Sequence, residues 1–406
     1  MRADVRGVAS ALAFGAAAAS VAYTAFALTR LGAFERRRRE RAPARRRPHV
    51  TVLKPLHGEE PQLEGNLRSF CTQDYPAFDV VLAVRDELDA ALPVARRVAA
   101  AFPARVRIVA GGAPADEPRF ANPKIANLRG ALGEARGEIL AIADSDMRVA
   151  ADWLDAVAAA FDDPDVGAAT CIYAGEPATR SVVDALGAMW ITEQFAPSVL
   201  AATALEPLRY CFGATMAVRR DVFAAIGGAR ALASHVADDH VLGRLVTERG
   251  MRVALVPFVV TNVVHERGIA ALFRHELRWA RTIRTVRPAS YPGIALTYPL
   301  PLAALAWLLA RDRRAARILL RVALVARVAL QRRAHGVLGR RRIPPGGAQP
   351  APLPWLLRET LVPLRDALGF AVWIAGFGGG AVRWRGARLR LDPDGTLREV
   401  TRRSDR

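Results

Sequence analysis

Two carboxylates one residue apart, Asp144 and Asp146, close the apolar run from Ile139 to Ala143, where a buried strand would end at a surface. Paired carboxylate oxygens suit a hard cation such as Mg²⁺ or Mn²⁺, and such a cation neutralises a diphosphate. An Asp-x-Asp pair is also the composition of an ordinary solvated loop, so its weight comes from its company. Asp86 follows a second apolar run, Val80 to Val84, and Asn122-Pro123-Lys124 opens a helical stretch. Asp238-Asp239 lies in the helical segment Ala237 to Glu248, and His275-Glu276-Leu277-Arg278-Trp279 comes last. Of 58 basic residues only Lys54 and Lys124 are lysine. An ammonium is a compact charge that reaches a phosphate where a planar guanidinium does not fit. Lys124 falls in the first turn of its helix, where phosphates are bound; for Lys54, chance retention is an equal alternative.

The elements that must carry these side chains alternate. Strands are expected near Val50 to Leu53, Val80 to Val84, Val106 to Val109 and Ile139 to Ala143, with helices at Leu63 to Thr72, Leu88 to Phe102 and Lys124 to Ala135 between them. That is the pattern of a doubly wound α/β sheet, whose ligands bind beyond the carboxyl ends of its strands. Asp86 and Asp144 fall there. A second half follows: helix Asp152 to Phe161, strand Val166 to Ile172, helix Val182 to Phe195, strand Phe212 to Val218 and the helix bearing Asp238-Asp239. The helix Ile269 to Arg284 is amphipathic and places Arg278 and Trp279 beside an apolar stretch. Trp190 and Phe195 have the near-helical spacing of core aromatics. His235, His240 and His265 read as structural or surface residues. Cys71, Cys171 and Cys211 have neither a disulfide framework nor metal-ligand spacing.

Together these residues resemble the ceramide glucosyltransferase family, glycosyltransferase family 21, including its bacterial hopanoid-associated branch, from about Val50 to Arg287. The family pattern has three separated acidic positions, then Gln or Arg, two variable residues and Arg-Trp. Asp86, Asp144 and Asp239 match the acidic positions, and Arg278-Trp279 the closing pair. His275 stands where Gln or Arg is usual; it keeps a hydrogen-bond donor but no permanent charge. The resemblance implies a GT-A-like doubly wound mixed sheet with an N-terminal transmembrane helix and C-terminal membrane-associated helices. It further implies an inverting transfer of a hexose, glucose or N-acetylglucosamine, from a UDP-sugar to a hydroxyl of a lipid acceptor, ceramide or a hopanoid polyol. In that scheme Asp144 and Asp146 hold Mg²⁺ or Mn²⁺, and Pro55, Asp86, Lys124 and Asp144 contact the nucleotide. Asp239 is the base, beside Asp238, and His275, Arg278 and Trp279 complete the catalytic set.

Val8 to Leu28 is apolar for about a bilayer's thickness and runs into Arg30, Arg36 to Arg39, Arg41 and Arg45 to Arg47. Basic residues on that side mark it as cytoplasmic, so an inner-membrane anchor with a cytoplasmic catalytic domain is expected. The net charge of +19 is concentrated beside apolar segments, where anionic lipid headgroups rather than nucleic acid supply the counter-charge. The expected organisation is an anchor over 1–30, a basic linker over 31–48, the catalytic domain over 49–288, membrane-associated helices with an Arg-rich loop over 289–384, and a tail over 385–406. Within the C-terminal third, Ser290 to Ala310, Ile318 to Leu330 and Ala367 to Val382 are apolar, and Arg340 to Pro354 reads as a linker. These segments form either a hairpin that crosses twice or helices lying in the interface with snorkelling arginines. Two competing readings are a processive polysaccharide synthase, which needs a transmembrane tunnel, and a basic membrane scaffold with incidental acids.

Overall fold

The computed structural model describes residues 5–111, 122–339, 354–379, 381–384, 387–391 and 396–399. At its centre is a mixed sheet of eight strands: β1 (Val50–Leu56), β2 (Phe78–Val84), β3 (Val106–Ala110), β4 (Ile139–Ile142), β5 (Met147–Arg148), β6 (Val166–Pro177), β7 (Met216–Arg219) and β8 (Arg252–Val264). Their order is β3-β2-β1-β4-β7-β6-β8-β5. β1 runs parallel to β2 and β4, and β2 to β3, whereas β7 is antiparallel to β4 and β6. Parallel strands are buried on both faces, so successive side chains enter opposite cores. Val52, Val80, Leu82 and Ala141 join the layer of the helices Leu63–Cys71, Ala91–Ala101 and Trp153–Ala159. Leu53, Val81, Ala83, Leu140 and Ile142 join the layer of Pro123–Glu134, Arg220–Ala225 and Asp238–Glu248. The doubly wound mixed sheet expected from the alternating pattern is therefore present. After β1 the chain winds outward to β2 and β3, then returns to the other side of β1 as β4. The topological switch point lies between the carboxyl ends of β1 and β4, the place where such sheets bind ligands.

β6 runs on to Pro177 and the short β5 was not expected; two further strands differ from expectation for physical reasons. β8 is 13 residues long, yet the pattern assigned it no strand. Pro257 interrupts the run and cannot donate to a ladder; the β6–β8 register shifts between Cys171–Val256 and Ile172–Val259, so the proline sits in an irregularity. The strand expected over Phe212 to Val218 shortens to Met216–Arg219, with only an isolated bridge between Phe212 and Thr215. The backbone there leaves the sheet to serve the acids described below. The helix expected over Val182 to Phe195 runs Val182–Trp190, loosens into a π-turn at Ile191–Phe195 and continues as Ala196–Ala202.

The N-terminal helix is longer than its apolar stretch. It spans Val5–Arg39, about 52 Å at 1.5 Å per residue, and so enters the stretch expected as a linker. Its first half is apolar enough to cross a bilayer. Its second half buries Ala27, Leu31 and Phe34 against Ile172 of β6, Val199 and Leu200 of the helix Ala196–Ala202, and Leu330 and Ala334 further on. Tyr291–Thr297 and Pro299–Leu309 meet at 84°, with prolines at the break. The second of these packs Leu302, Ala303 and Ala306 with Ala13 and Ala17 of the N-terminal helix and Ala323 of the helix Arg313–Leu338. Outward-facing Val8, Leu12, Leu305, Leu308, Ile318, Val322 and Val325 form an exposed apolar band. The helix Trp355–Gly376 and a small antiparallel sheet of Ala381–Trp384, Ala387–Leu391 and Leu397–Glu399 follow, the sheet lying largely in the stretch expected as a tail. The expected linker from Arg340 falls, through residue 353, outside the described residues.

Candidate active site

Lys54 and Pro55 stand near the end of β1, and Asp144 follows β4, so the switch point brings a lysine and a carboxylate together. Lys54 is fully buried; its ammonium lies 3.9 Å over the ring of Phe70 and donates to the backbone carbonyl of Asp144. Burial pushes this ammonium down to about 7, against the pull of Asp144, Asp146 and Glu60. The lysine that composition left ambiguous thus holds the loop bearing the paired acids.

Asn122 caps the helix Pro123–Glu134: its side-chain oxygen accepts from the backbone N–H groups of Lys124 (2.9 Å) and Ile125 (3.4 Å), with Pro123 in the first turn. Its amide donates to the carbonyl of His235 (2.9 Å) and to Asp238 (3.4 Å), which ties this helix to the loop before the second acidic pair. Lys124 Nζ is 2.9 Å from both Asp144 Oδ1 and Asp238 Oδ2. Burial opposes its charge, but the two carboxylates outweigh that and hold the ammonium above its ordinary range. Lys124 therefore binds the two acidic pairs to each other.

This arrangement separates Asp238 from Asp239. Asp238 is buried against Lys124 and Asn122, whereas Asp239 is half-buried and accepts from the backbone N–H groups of His240 (2.8 Å) and Gly213 (3.1 Å). Gly213 is the contact point of the two acidic pairs, since its carbonyl also accepts from the N–H of Asp144 at 3.2 Å. A Cβ at position 213 would fall 2.5 Å from Asp144 Oδ2, so only glycine fits. Burial, then the charge of Asp238, raises the Asp239 carboxyl to about 7 despite Lys124. Asp146 is also raised to about 7, by burial, Glu60 and Asp144, although it accepts from the amide of Asn262 at 2.7 Å.

The helix Ile269–Val286 closes the opposite side. His275 Nδ1 lies 2.6 Å from Glu266 Oε1, and its ring is 4.2 Å from that of Trp279. Trp279 in turn stacks on Trp190 at 5.0 Å and 20°. One cavity of about 530 Å³ is lined by Pro55, Lys124, Asp144, Asp146, Asp238, Asp239, His275, Arg278 and Trp279. Asp86 is not among its lining residues. It lies exposed past the end of β2, one strand away from the switch point, where its carboxylate accepts from the N–H of Leu88 at 2.9 Å. Glu60, Tyr173, Gly213 and Asn262 line the cavity without having been singled out in the sequence. Asn262, a lone amide in the apolar run of β8, is the one with a readable signal.

The donor set fits a divalent cation. Among the described residues no three His, Cys, Asp or Glu side chains form a ready-made cage. Mg²⁺ and its like commonly use one or two carboxylates and complete their shell with substrate phosphates and water. Asp144 and Asp146 supply that number, and burial, followed by the charges of Glu60 and Asp144, holds the Asp146 carboxyl high although Lys54 opposes the shift.

Acids gathered at the switch point of an α/β sheet, beside a cavity walled by Trp279 and Tyr173, make this cleft the candidate active site. The family model described as Glycosyl transferase family 21 matches residues 12–397, and the chain belongs to that family. It is 33% identical over 101 residues to a ceramide glucosyltransferase of Komagataella phaffii, covering 25% of this chain and 20% of the relative. It is 26% identical over 253 residues to an N-acetylglucosaminyltransferase of Rhizobium meliloti, covering 58% and 55%. The chain thus spans from a fifth to about half the length of such relatives. Among solved structures, the mannosyltransferase PcManGT from Pyrobaculum calidifontis in complex with GDP-Man and Mn²⁺ aligns with a TM-score of 0.49 and 20% identity, over 89% of this chain and 99% of that one.

Proposed function

We propose that this protein is an inverting membrane glycosyltransferase that moves a hexose from a UDP-sugar to a hydroxyl of a lipid, with glucose or N-acetylglucosamine as the sugar and ceramide or a hopanoid polyol as the acceptor. The observation that carries this reading is the convergence of Asp144, Asp146, Asp239, Arg278 and Trp279, from distant parts of the chain, on one cavity. The names of the relatives support the sugar and acceptor classes, and the exposed apolar band supports membrane delivery of the acceptor. The arginines after the N-terminal apolar stretch favour an inner-membrane protein with its cavity on the cytoplasmic side.

A divalent cation bound at Asp144 and Asp146 supplies charge neutralisation of the donor diphosphate. Lys124 keeps Asp144 aligned and the Asp238 charge paired. Asp239 takes the proton from the attacking hydroxyl; its carboxyl, raised to about 7, is a matched base near neutrality. Arg278 stabilises charge that develops on the leaving diphosphate, and Trp279, backed by Trp190, forms an apolar wall for the acceptor. His275, held by Glu266, orients the same helix turn. Asp86, exposed past the end of β2 and one strand from the switch point, is left for the uridine only where the nucleoside projects beyond the cavity.

Asp239→Asn is expected to abolish transfer to a lipid acceptor while leaving Mn²⁺-dependent UDP binding within a few-fold of the parent. Near-normal turnover refutes the base assignment. Polymer secreted by cells that express the protein would instead favour a processive synthase.

A further inference from the structure

The family pattern leaves two positions free between His275 and Arg278, and one of them, Glu276, is 2% exposed. Both its carboxylate oxygens are occupied by one guanidinium: Arg365 Nη1 donates to Oε1 and Nη2 to Oε2, each at 2.7 Å. Arg365 is fully buried on the helix Trp355–Gly376, and its Nη1 also donates to the carbonyl of Leu186 at 3.2 Å. A two-point pair of this kind fixes orientation as well as distance. Roughly two turns later the same pair of helices is tied again. Arg284 donates to the carbonyls of Phe377 and, at 2.7 Å, Gly379. The approach is close, because a Cβ on Gly376 would fall 3.3 Å from the Cβ of Ala280.

Arg365's neighbour holds the other side of the cavity. Asp366 accepts from Arg327 Nε (2.8 Å) and from Gln194 (3.3 Å), while Arg327 also reaches Glu193 at 3.0 Å. Glu193 and Gln194 lie about one helical turn after Trp190, and Trp190 is the ring on which Trp279 stacks. Adjacent residues of one C-terminal helix therefore hold both partners of the tryptophan stack. A buried ion pair is a poor device for stability, since apolar residues of similar volume often serve as well; what the fork supplies is geometry.

We propose that Arg365 is a positioning residue that acts through Glu276 to orient Arg278 and Trp279, so that the helix Trp355–Gly376 belongs to the catalytic apparatus as well as to the membrane-associated part. This inference rests on the transfer reaction proposed above. The test uses the full chain in detergent micelles with UDP-glucose or UDP-N-acetylglucosamine and ceramide. Three variants are compared with the parent: Arg365→Met, Arg365→Lys and the double variant Glu276→Met with Arg365→Met. The single Met variant strands the Glu276 charge and is expected to lose both stability and kcat. The apolar double variant regains Tm, yet its kcat stays about 10- to 100-fold low with the donor KM unchanged. Amide exchange becomes faster across residues 269–286 but not across 139–148 or 238–248. Recovery of kcat together with Tm, or unchanged exchange in 269–286, overturns the proposal. Should the double variant remain unstable, Arg365→Lys decides, because it keeps the charge and loses the fork: reduced kcat at parental Tm supports positioning, and parental kcat overturns it. If the parent transfers no sugar to lipid, the functional reading fails, and the exchange comparison alone decides whether the clamp holds the helix.

Discussion

Three short-range contacts organise the acids: Lys124 joins Asp144 to Asp238, Lys54 holds the Asp144 carbonyl, and Gly213 touches both Asp144 and Asp239. Gly213→Ala is expected to push the Asp144 carboxylate aside and lower kcat by about 100-fold while the fold persists; circular dichroism with a transfer assay checks both. The base role proposed for Asp239 requires the deprotonated form, and its carboxyl is raised to about 7. The acid limb of the kcat profile should therefore bend near that value, falling about tenfold per pH unit below it, and a bend near the usual carboxylate range would contradict the assignment. Linkage gives a matching stability effect. A carboxyl raised above its unfolded value of 3.8 contributes stability that is fully present below that value and lost as pH rises through about 7. The proposed cation site requires Asp146 deprotonated, so the rise in Tm on adding Mn²⁺ should be larger at about pH 8 than at about pH 5.

At the scale of elements, the strands place the acids and the helices after them set the distances. The π-turn Ile191–Phe195 turns Glu193 into the buried network that Arg327, Gln331 and His335 share. Arg327→Met leaves Glu193 and Asp366 buried without their cation, and the expected loss is about 3–5 kcal/mol, read from chemical or thermal unfolding in detergent. A loss below about 1 kcal/mol would show that His335 and Gln331 suffice to hold Glu193. The helix start at Asn122-Pro123 was legible because its signal is local, and Asn122 caps where expected; Asp312 caps the helix Arg313–Leu338 through the N–H groups of Arg314 and Ala315, a start that the apolar run Ile318 to Leu330 did not show. β8 was not legible, because the irregularity that accommodates Pro257 depends on pairing with β6, residues 166–177.

Across the whole molecule, the N-terminal helix does two jobs along its length. Leu12 is 70% exposed on the apolar band, whereas Leu31 is fully buried against Ile172, Val199 and Leu200. Leu31→Ala should cost about 2–5 kcal/mol, measured as lost stability in detergent. Leu12→Arg should leave detergent activity unchanged and shift the protein from the membrane fraction towards the soluble one. Equal effects of the two changes would mean that the helix is either wholly anchor or wholly core.

The chain's local pattern determined the alternating elements, the strand ends that bear Asp144 and Asp86, the capped helix at Lys124 and an apolar N-terminal helix. Those features follow from side-chain periodicity and from capping groups that lie within a few residues of one another. Only the tertiary structure decided that Lys124 pairs with Asp144 and Asp238, that Asp238 is buried on that lysine while Asp239 stays half-buried beside Gly213, that Asp86 stands outside the cavity wall, and that Glu276 answers to Arg365. Each of those outcomes is a meeting of charges far apart along the chain, fixed by strand order and by the packing of the C-terminal helices, and no local spacing encodes which distant charge a buried side chain will meet.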